Sequence, residues 1–443
     1  MAPTTRIKEA RRVTGFAVLL FCVICGLLLL LFVRPLLWPP THSISRVFAY
    51  AMFGGNGQRT HFNPDEHMLT TTTVSRLVPD WSSVVTGGSI FSSPAVVDGV
   101  VYVSSMDGKL YAFDAEGCHS VSCAPLWTAA MGERVMASPT VVDGVIYSGA
   151  LDGKLYAFNA HGCGAATCSP LWVSTPAHDG VYTSAIVANN IVVIGSDDGR
   201  LYAFKADGCG KTVQCQPLWV SPIVKGGYFK NGFLSSPAIA GNIVYSGASD
   251  GRLYAFAVTG CGKAVCGPRW TSMPTGDIIT SSPAIANGLV FVGSQDNKLY
   301  AFDVNGCGTA PECPPLWVSA PTGSIIESSP AVANDVVYVS SWDHKLYAYD
   351  IAGCGTLSCP PLWTSTPTGS ILESSPTIAG GVVYVGSDDG MLYAFNAHGC
   401  QKAVCEPLWT SPTTGDALYS SPAVVNGVIY IGSLDHKLYS YHL

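Results

Sequence analysis

The sequence predicts an all-β fold, an eight-bladed β-propeller of four-stranded antiparallel blades preceded by one N-terminal transmembrane helix. Three observations predict it: one unit recurs eight times, each unit holds four short strand-like runs, and the chain ends carry complementary fractions of a unit. The anchor tryptophans are Trp81, Trp127, Trp172, Trp219, Trp270, Trp317, Trp363 and Trp409, at successive spacings of 46, 45, 47, 51, 47, 46 and 46 residues. Self-similarity at this period marks a propeller, a solenoid or an array.

Within the first unit the runs are Ser93–Val97, Val100–Ser104, Lys109–Asp114 and Leu126–Ala130. They are rich in β-branched and aromatic residues and lack a sustained helical period, so they read as strands a, b, c and d. Val100-Val101-Tyr102-Val103 and Leu110-Tyr111-Ala112-Phe113 are apolar at odd and even positions alike. Such strands need cover on both faces, which sheets stacked around an axis provide. The recurring Ser-Pro pair places strand a on an edge, because proline cannot donate to a ladder. That edge is the channel lining. The eighth unit stops at Leu443 after its strand c, whereas a tryptophan run around Trp81 precedes the first strand a. The surplus strand completes the last blade.

Fourteen of the 16 cysteines form seven pairs between strands c and d: Cys118/Cys123, Cys163/Cys168, Cys209/Cys215, Cys261/Cys266, Cys307/Cys313, Cys354/Cys359 and Cys400/Cys405. Seven hairpin disulfides are the economical reading, each contributing roughly 2 kcal/mol in a chain-entropy picture. Metal binding is the rival, since His119, His161 and His398 lie beside some pairs, but two ligands per hairpin do not make a tetrahedral site. Disulfides imply an oxidising compartment.

Val13 to Val33 is uncharged, and as a helix of about 31 Å it spans a bilayer. Arg6, Lys8, Arg11 and Arg12 precede it, so the N-terminus is expected in the cytoplasm and the propeller outside. A cleaved signal peptide is the alternative, although no small-residue cleavage site follows. Cys22-x-x-Cys25 lies within this span and lacks the histidine of a haem-attachment motif; lipidation is a further reading. The expected organisation is a basic cytoplasmic segment (1–12), a signal anchor (13–33), a linker and lead-in (34–78) and the propeller (79–443). Of 23 basic and 30 acidic side chains, five and one precede residue 41, which leaves 18 and 29 beyond it. No basic stripe appears, which argues against a nucleic-acid partner. A monomer is expected.

The unit Ser-Ser-Pro-Ala-Val-Val-x-Gly-Val-Val-Tyr-Val-Gly-Ser-x-Asp-Gly-Lys-Leu-Tyr-Ala-Phe-Asp, then Gly and Trp, resembles the pyrroloquinoline-quinone (PQQ)-type propeller repeat over residues 50–443. The lead-in Phe53-Gly54-Gly55-Asn56-Gly57-Gln58-Arg59-Thr60-His61-Phe62-Asn63-Pro64 and the later Val74-Ser75-Arg76-Leu77 are similar to the segment before the first blade of quinoprotein dehydrogenases. The resemblance implies either a quinoprotein dehydrogenase, binding PQQ and calcium and oxidising an alcohol-type substrate, or a non-catalytic relative such as the outer-membrane assembly lipoprotein propeller. The chain departs from the dehydrogenases in three respects. It has no adjacent cysteines, no Cys-x-x-Cys-His motif and no long active-site insertions. The expectation is therefore a membrane-anchored, non-catalytic binding or scaffold protein of the cell envelope, with carbohydrate or cell-wall binding as a further alternative.

Any site lies where the repeats disagree. The position before the Ser-Ser pair reads Phe91, Met136, Tyr182, Leu234, Thr280, Glu327, Glu373 and Tyr419, and the position before the b–c aspartate reads Met106, Leu151, Asp197, Ser249, Gln295, Trp342, Asp388 and Leu434. Glu327, Glu373 and Asp388 are candidate oxygen ligands for a small molecule or divalent cation, with Trp342 and Tyr419 as a stacking wall. The alternative is drift at solvated turns. Two more breaks are the lengthened connection 223–232 and Ser184-Ala185 in place of Ser-Pro. The b–c aspartates recur in all eight units and read as turn formers capping local amides. The repeated tyrosine of Leu-Tyr-Ala-Phe reads as packing between blades.

Overall fold

The computed structural model describes residues 50–210, 214–226 and 232–443. These residues form eight antiparallel sheets and one single-turn 3-10 helix, Val74–Arg76. Among them no helix is long and apolar enough to cross a membrane; the expected anchor, 13–33, lies outside the described residues, as does 227–231 of the lengthened connection.

Blade 1 shows the pattern, with strands a to d at Ala95–Val97, Val100–Ser105, Lys109–Asp114 and Trp127–Ala130. Strand a begins directly after Pro94, as an edge strand requires. The a–b turn is two residues long, Asp98 and Gly99, both at positive φ (50° and 77°). Turns of that hand match the twist of the flanking strands. Blade 8 combines Ala423–Val425, Val428–Gly432 and Leu438–His442 with Val78–Ser83, which pairs antiparallel through Val78↔His442 and Ser82↔Tyr439. The ring closes with the Trp81 strand, as expected.

Seams between blades hold the core. One apolar cluster joins Tyr102, Ala112 and Trp127 of blade 1 to Ile146 and Phe158 of blade 2. Around the channel the second serine of each Ser-Ser or equivalent pair lends its Oγ to a backbone N–H of the preceding blade. Ser93 donates to Ser138, Ser138 to Ser184, Ser184 to Ser236, Ser236 to Ser282, Ser282 to Ser329, Ser329 to Ser375, Ser375 to Ser421 and Ser421 back to Ser93, at 2.8–3.0 Å. The first hydroxyl of the pair works within its blade: Ser328 Oγ donates to Ser340 O and accepts from Ser340 N–H.

The outer edges are covered by the cysteine hairpins. All seven expected disulfides are present. The second cysteine of each lies at a short parallel extension of the preceding blade. Cys123 sits beside Ser83, Cys168 beside Ala129, Cys215 beside Ser174 and Cys405 beside Ser365. Single bridges do the same for Cys313 beside Ser272 and Cys359 beside Ser319, and Cys266 N–H donates to Val220 O at 2.9 Å. This pairing caps backbone groups that an open edge strand would expose.

The two halves of each bridge differ in surroundings. Cys118, Cys163, Cys261 and Cys354 are exposed and Cys209, Cys307 and Cys400 half-buried. Their partners Cys123, Cys168, Cys215, Cys266, Cys313, Cys359 and Cys405 are all buried. All of these but Cys313 join the apolar clusters of the seams. The buried seven are therefore core residues, not an accessible site: each sulfur is spent in its bridge and packs against the blade before it. The rival metal reading falls with them, since a bridged sulfur is no thiolate ligand. At the seam between blades 7 and 8, Leu77 replaces the second cysteine four residues before its tryptophan, and its carbonyl accepts Trp409 Nε1–H at 3.2 Å.

The lead-in does more than precede the first blade: it plugs the a–b end of the channel. Tyr50 bridges Val96, and the carbonyls of Ala51, Gly57, Gln58, Thr60 and His61 accept the N–H groups of Val141, Ile239, Ile285, Val332 and Ile378. Asn63 Nδ2 donates to Val424 O on blade 8. Blade 3 receives Arg59 instead. Its fully buried guanidinium donates to Ser184 O and Ala185 O, and also to Pro237 O and Phe53 O. Two of these acceptors belong to the unit without Ser-Pro, and Pro237 O belongs to the Ser-Pro of blade 4. Burial lowers the Arg59 pKa to about 9. Burial, aided by Arg59, lowers that of His61 to about 3, which keeps the imidazole neutral edge-on to Phe53.

Seven of the b–c aspartates accept a turn amide as expected, the exception being Asp107, whose Oδ1 has no partner among the described residues, and all eight do one thing more. Asp296 Oδ1 accepts Lys298 N–H within the turn, while its Oδ2 accepts the Tyr300 hydroxyl. The same Tyr-to-Asp bond recurs in all eight blades. The repeated tyrosine therefore has a polar duty in its own blade beyond packing.

The glycine before each first cysteine lies against the preceding blade's tryptophan. Gly260 (φ 73°) leaves no room, since a Cβ there would meet Trp219 Cδ1 at 2.5 Å, whereas Gly262 (φ 76°) faces open space. Alanine at either position suffers the left-handed backbone cost of roughly 1–2 kcal/mol; Gly260→Ala adds overpacking of about 1–3 kcal/mol. Thermal denaturation of the two variants should place Gly260→Ala clearly below Gly262→Ala. Equal melting temperatures would refute the tight clasp.

Candidate functional site

Opposite the plug, the channel opens at the rim where the b–c turns meet the d–a connections. In every blade the N–H of the residue before the b–c aspartate donates to a d–a carbonyl at 3.0–3.1 Å, for example Trp342 to Ile325 and Asp388 to Ile371. The repeat thus fixes the backbone at this rim and leaves the side chains free to vary. Phe91, Met136, Tyr182, Thr280, Glu327, Glu373 and Tyr419 line a cavity of about 300 Å³ on the axis. The ring that the sequence singled out is a single cup.

Its lining varies around the ring. Phe91 and Tyr419 lie against each other with ring centroids 5.5 Å apart, so one wall is aromatic. Glu373 and Glu327 continue the ring from Tyr419 on the two blades before it. Gln295 Nε2, from the neighbouring blade, donates to Glu327 Oε1. Asp388 accepts the Tyr419 hydroxyl, again across a seam. Sequence reasoning grouped Trp342 with Glu327 and Asp388 with Glu373 because each pair shares a blade; the hydrogen bonds instead run to the next blade, since each b–c turn leans over the seam. Gln295 was the polar partner that pairing by blade could not find. Glu373 has no hydrogen-bond donor among the described residues.

Burial pushes the Glu373 carboxyl up to about 7, with Asp388 and Glu327 adding to the effect. Asp388 is pushed up to about 6 by burial, opposed by the Tyr419 hydrogen bond and reinforced by Asp389 and Asp416. Glu327 is raised by burial and partly held down by Gln295. Three buried polar atoms at this rim, Thr280 Oγ1, Trp342 Nε1 and Asp388 Oδ1, lack a partner among the described residues. Among those residues no group of three or more His, Cys, Asp or Glu is close enough together to hold a metal ion. A larger groove of about 490 Å³ runs along the outer seam of blades 1 and 2 past Asp98, Asp143, Trp127 and His161. Its walls are turn and seam positions that recur around the ring.

A family model described as outer membrane protein assembly factor BamB matches residues 69–306 and 315–443. No curated protein sequence matches the chain. Among solved structures, BamB from Moraxella catarrhalis superimposes with a TM-score of 0.61 at 18% identity, covering 83% of this chain and 98% of its own. Quinohemoprotein alcohol dehydrogenase from Comamonas testosteroni gives 0.67 at 15% identity, covering 90% and 81%. A europium-containing methanol dehydrogenase gives 0.68 at 14% identity, covering 89% and 98%. At these identities the likeness is one of fold.

The pKa directions set a pH dependence. A carboxyl whose pKa rises on folding makes the folded state hold its proton more tightly. Its contribution to stability is therefore present at low pH and is lost as pH climbs from the ordinary carboxylate range toward 7. Scanning calorimetry should show the melting temperature falling more between pH 5 and pH 8 in the native chain than in Glu373→Gln. Parallel profiles would mean that Glu373 is not held this way.

Proposed function

The chain belongs to the family of PQQ-like propellers described as outer membrane protein assembly factor BamB, and from that membership we propose a membrane-anchored, non-catalytic binding propeller on the extracytoplasmic side of the cell envelope. The observation that carries this reading is the chemistry of the mouth. A PQQ cofactor is a flat quinone bearing three carboxylates, and its site must supply cations, from lysine or arginine or from a calcium ion held by clustered oxygens. Among the described residues the cavity lining has Glu327 and Glu373 but no lysine or arginine, and no group of three or more acidic, His or Cys side chains is close enough together to hold the calcium. These residues do not fit that cofactor, and no redox step is derived through it.

Seven disulfides support an oxidising compartment. The uncharged run 13–33 behind four basic residues supports an anchor with the propeller outside. The fold supplies a rigid ring whose blades are pinned at both edges, and its variable side chains gather at one mouth. That arrangement suits recognition.

Two measurements test the reading. Full-length protein should stay with membranes through an alkaline wash, and a chain lacking residues 1–33 should not; recovery of the full chain in the wash would refute the anchor. Titration with PQQ and calcium should give no quinone absorbance change and no dye-linked alcohol oxidation. Turnover in that assay would replace the binding reading with a dehydrogenase.

A further inference from the structure

The mouth combines features that together define a ligand class. It is a cavity of about 300 Å³, room for on the order of ten non-hydrogen atoms at the roughly 30 Å³ a water occupies. One wall is the Phe91–Tyr419 pair. On the next two positions of the ring, beside Tyr419, stand Glu373, a half-buried carboxylate with no hydrogen-bond donor among the described residues, and Glu327, whose donor is a neutral amide. Beside them, the rim holds two buried oxygens without partners among the described residues, Thr280 Oγ1 in the lining and Asp388 Oδ1 on the neighbouring b–c turn; the third such atom, Trp342 Nε1, is a donor and calls for an acceptor instead. Buried polar atoms without protein partners are rare and call for a bound group.

The carboxylate acceptors at the mouth, Glu373, Glu327 and Asp388 Oδ1, favour a cationic donor, and its geometry can be narrowed. A divalent ion needs six to eight oxygens at about 2.3–2.6 Å, and among the described residues no such cluster exists here. An ammonium group on an apolar stem makes no such demand. It needs carboxylate acceptors and, beside them, an aromatic face that tolerates positive charge.

We propose that the channel mouth is a receptor for an alkylammonium group, whose charge sits between Glu373 and Glu327 while its stem lies along Phe91 and Tyr419. This rests on the reading of the chain as a binding propeller. The same chemistry arrives from two sources, a lysine side chain presented by a partner polypeptide or a free aliphatic amine.

Calorimetric titration of the full-length protein at pH 8 tests the site and separates the sources. n-Hexylammonium chloride should bind, and hexanol and hexanoate should bind at least tenfold more weakly. Glu373→Gln should weaken hexylammonium at least tenfold with an unchanged circular dichroism spectrum. Glu133→Gln, at an exposed carboxylate of the d–a connection, should leave it unchanged. A peptide with one free lysine that binds where its Nε-acetylated form does not assigns a polypeptide source; hexylammonium binding without peptide binding assigns a free amine. No binding of hexylammonium, equal binding of hexanol, or equal weakening by Glu133→Gln overturns the proposal. Such a failure in protein that also ignores PQQ leaves the binding-propeller reading standing; failure of that reading shows instead as quinone-dependent turnover.

Discussion

The propeller depends on a closed circuit of eight hydrogen bonds around its channel. Strand a is the inner edge of each blade, so its first N–H groups have no ladder partner on the channel side. Proline after the serine removes one of these donors outright in seven units. The serine N–H itself is satisfied by the next blade's serine Oγ, and the Ser421-to-Ser93 bond joins the last unit to the first. Each such bond contributes modestly, but an unmade one leaves a buried donor that costs about 1–3 kcal/mol. The circuit is complete only when every unit stands in the same relation to its neighbour. Strand exchange in blade 8 provides that relation across the chain ends.

Two further devices follow from the same difficulty at the edges. Eight sheets have sixteen edges, and an uncovered edge is a template for unwanted pairing. Seven of the outer edges are covered from the next unit by a disulfide-bonded hairpin, so the cysteines do more than shorten a loop: they hold a short segment against the neighbouring blade and bury one sulfur of each bridge in the seam. The inner edges are covered at the a–b end by the plug, largely through main-chain carbonyls. Arg59 is the exception, and reaches carbonyls of blades 3 and 4 through its side chain. A guanidinium with several carbonyl acceptors is tolerated without a carboxylate because its N–H groups are satisfied.

What was legible in the sequence follows from what repeats. Blade count, strand order and disulfide pairing rest on recurrence around the ring, and the structure has each of them; the turn role of the b–c aspartates holds at seven positions and lapses at Asp107. The burial of Cys215, Cys266, Cys313 and Cys359 was not legible, because spacing pairs two cysteines without saying which of them faces the neighbouring blade. Nor was the plug, because residues 50–63 occur once and act mainly through backbone atoms, on which side-chain patterns are silent. The ring before the Ser-Ser pair was found as a set of positions, and those positions do share one cup. Its internal pairing was not found. Sequence places Asp388 with Glu373 in one unit, but the lean of the b–c turn across the seam gives Asp388 the Tyr419 hydroxyl and gives Glu327 the Gln295 amide.

That lean bears on the mouth. Nearly every polar position of the unit has a structural duty: serine to serine, aspartate to tyrosine, tryptophan to a neighbouring carbonyl. The position before the Ser-Ser pair has none, so it can vary without disturbing the circuit. Where variation introduced Glu327 and Tyr419, the preceding blade supplied Gln295 and Asp388. Glu373 received no donor among the described residues, only the proximity of two other carboxyls. Its burial works against the folded state at neutral pH, and no contact among those residues offsets that cost. A cation held between Glu373 and Glu327 would.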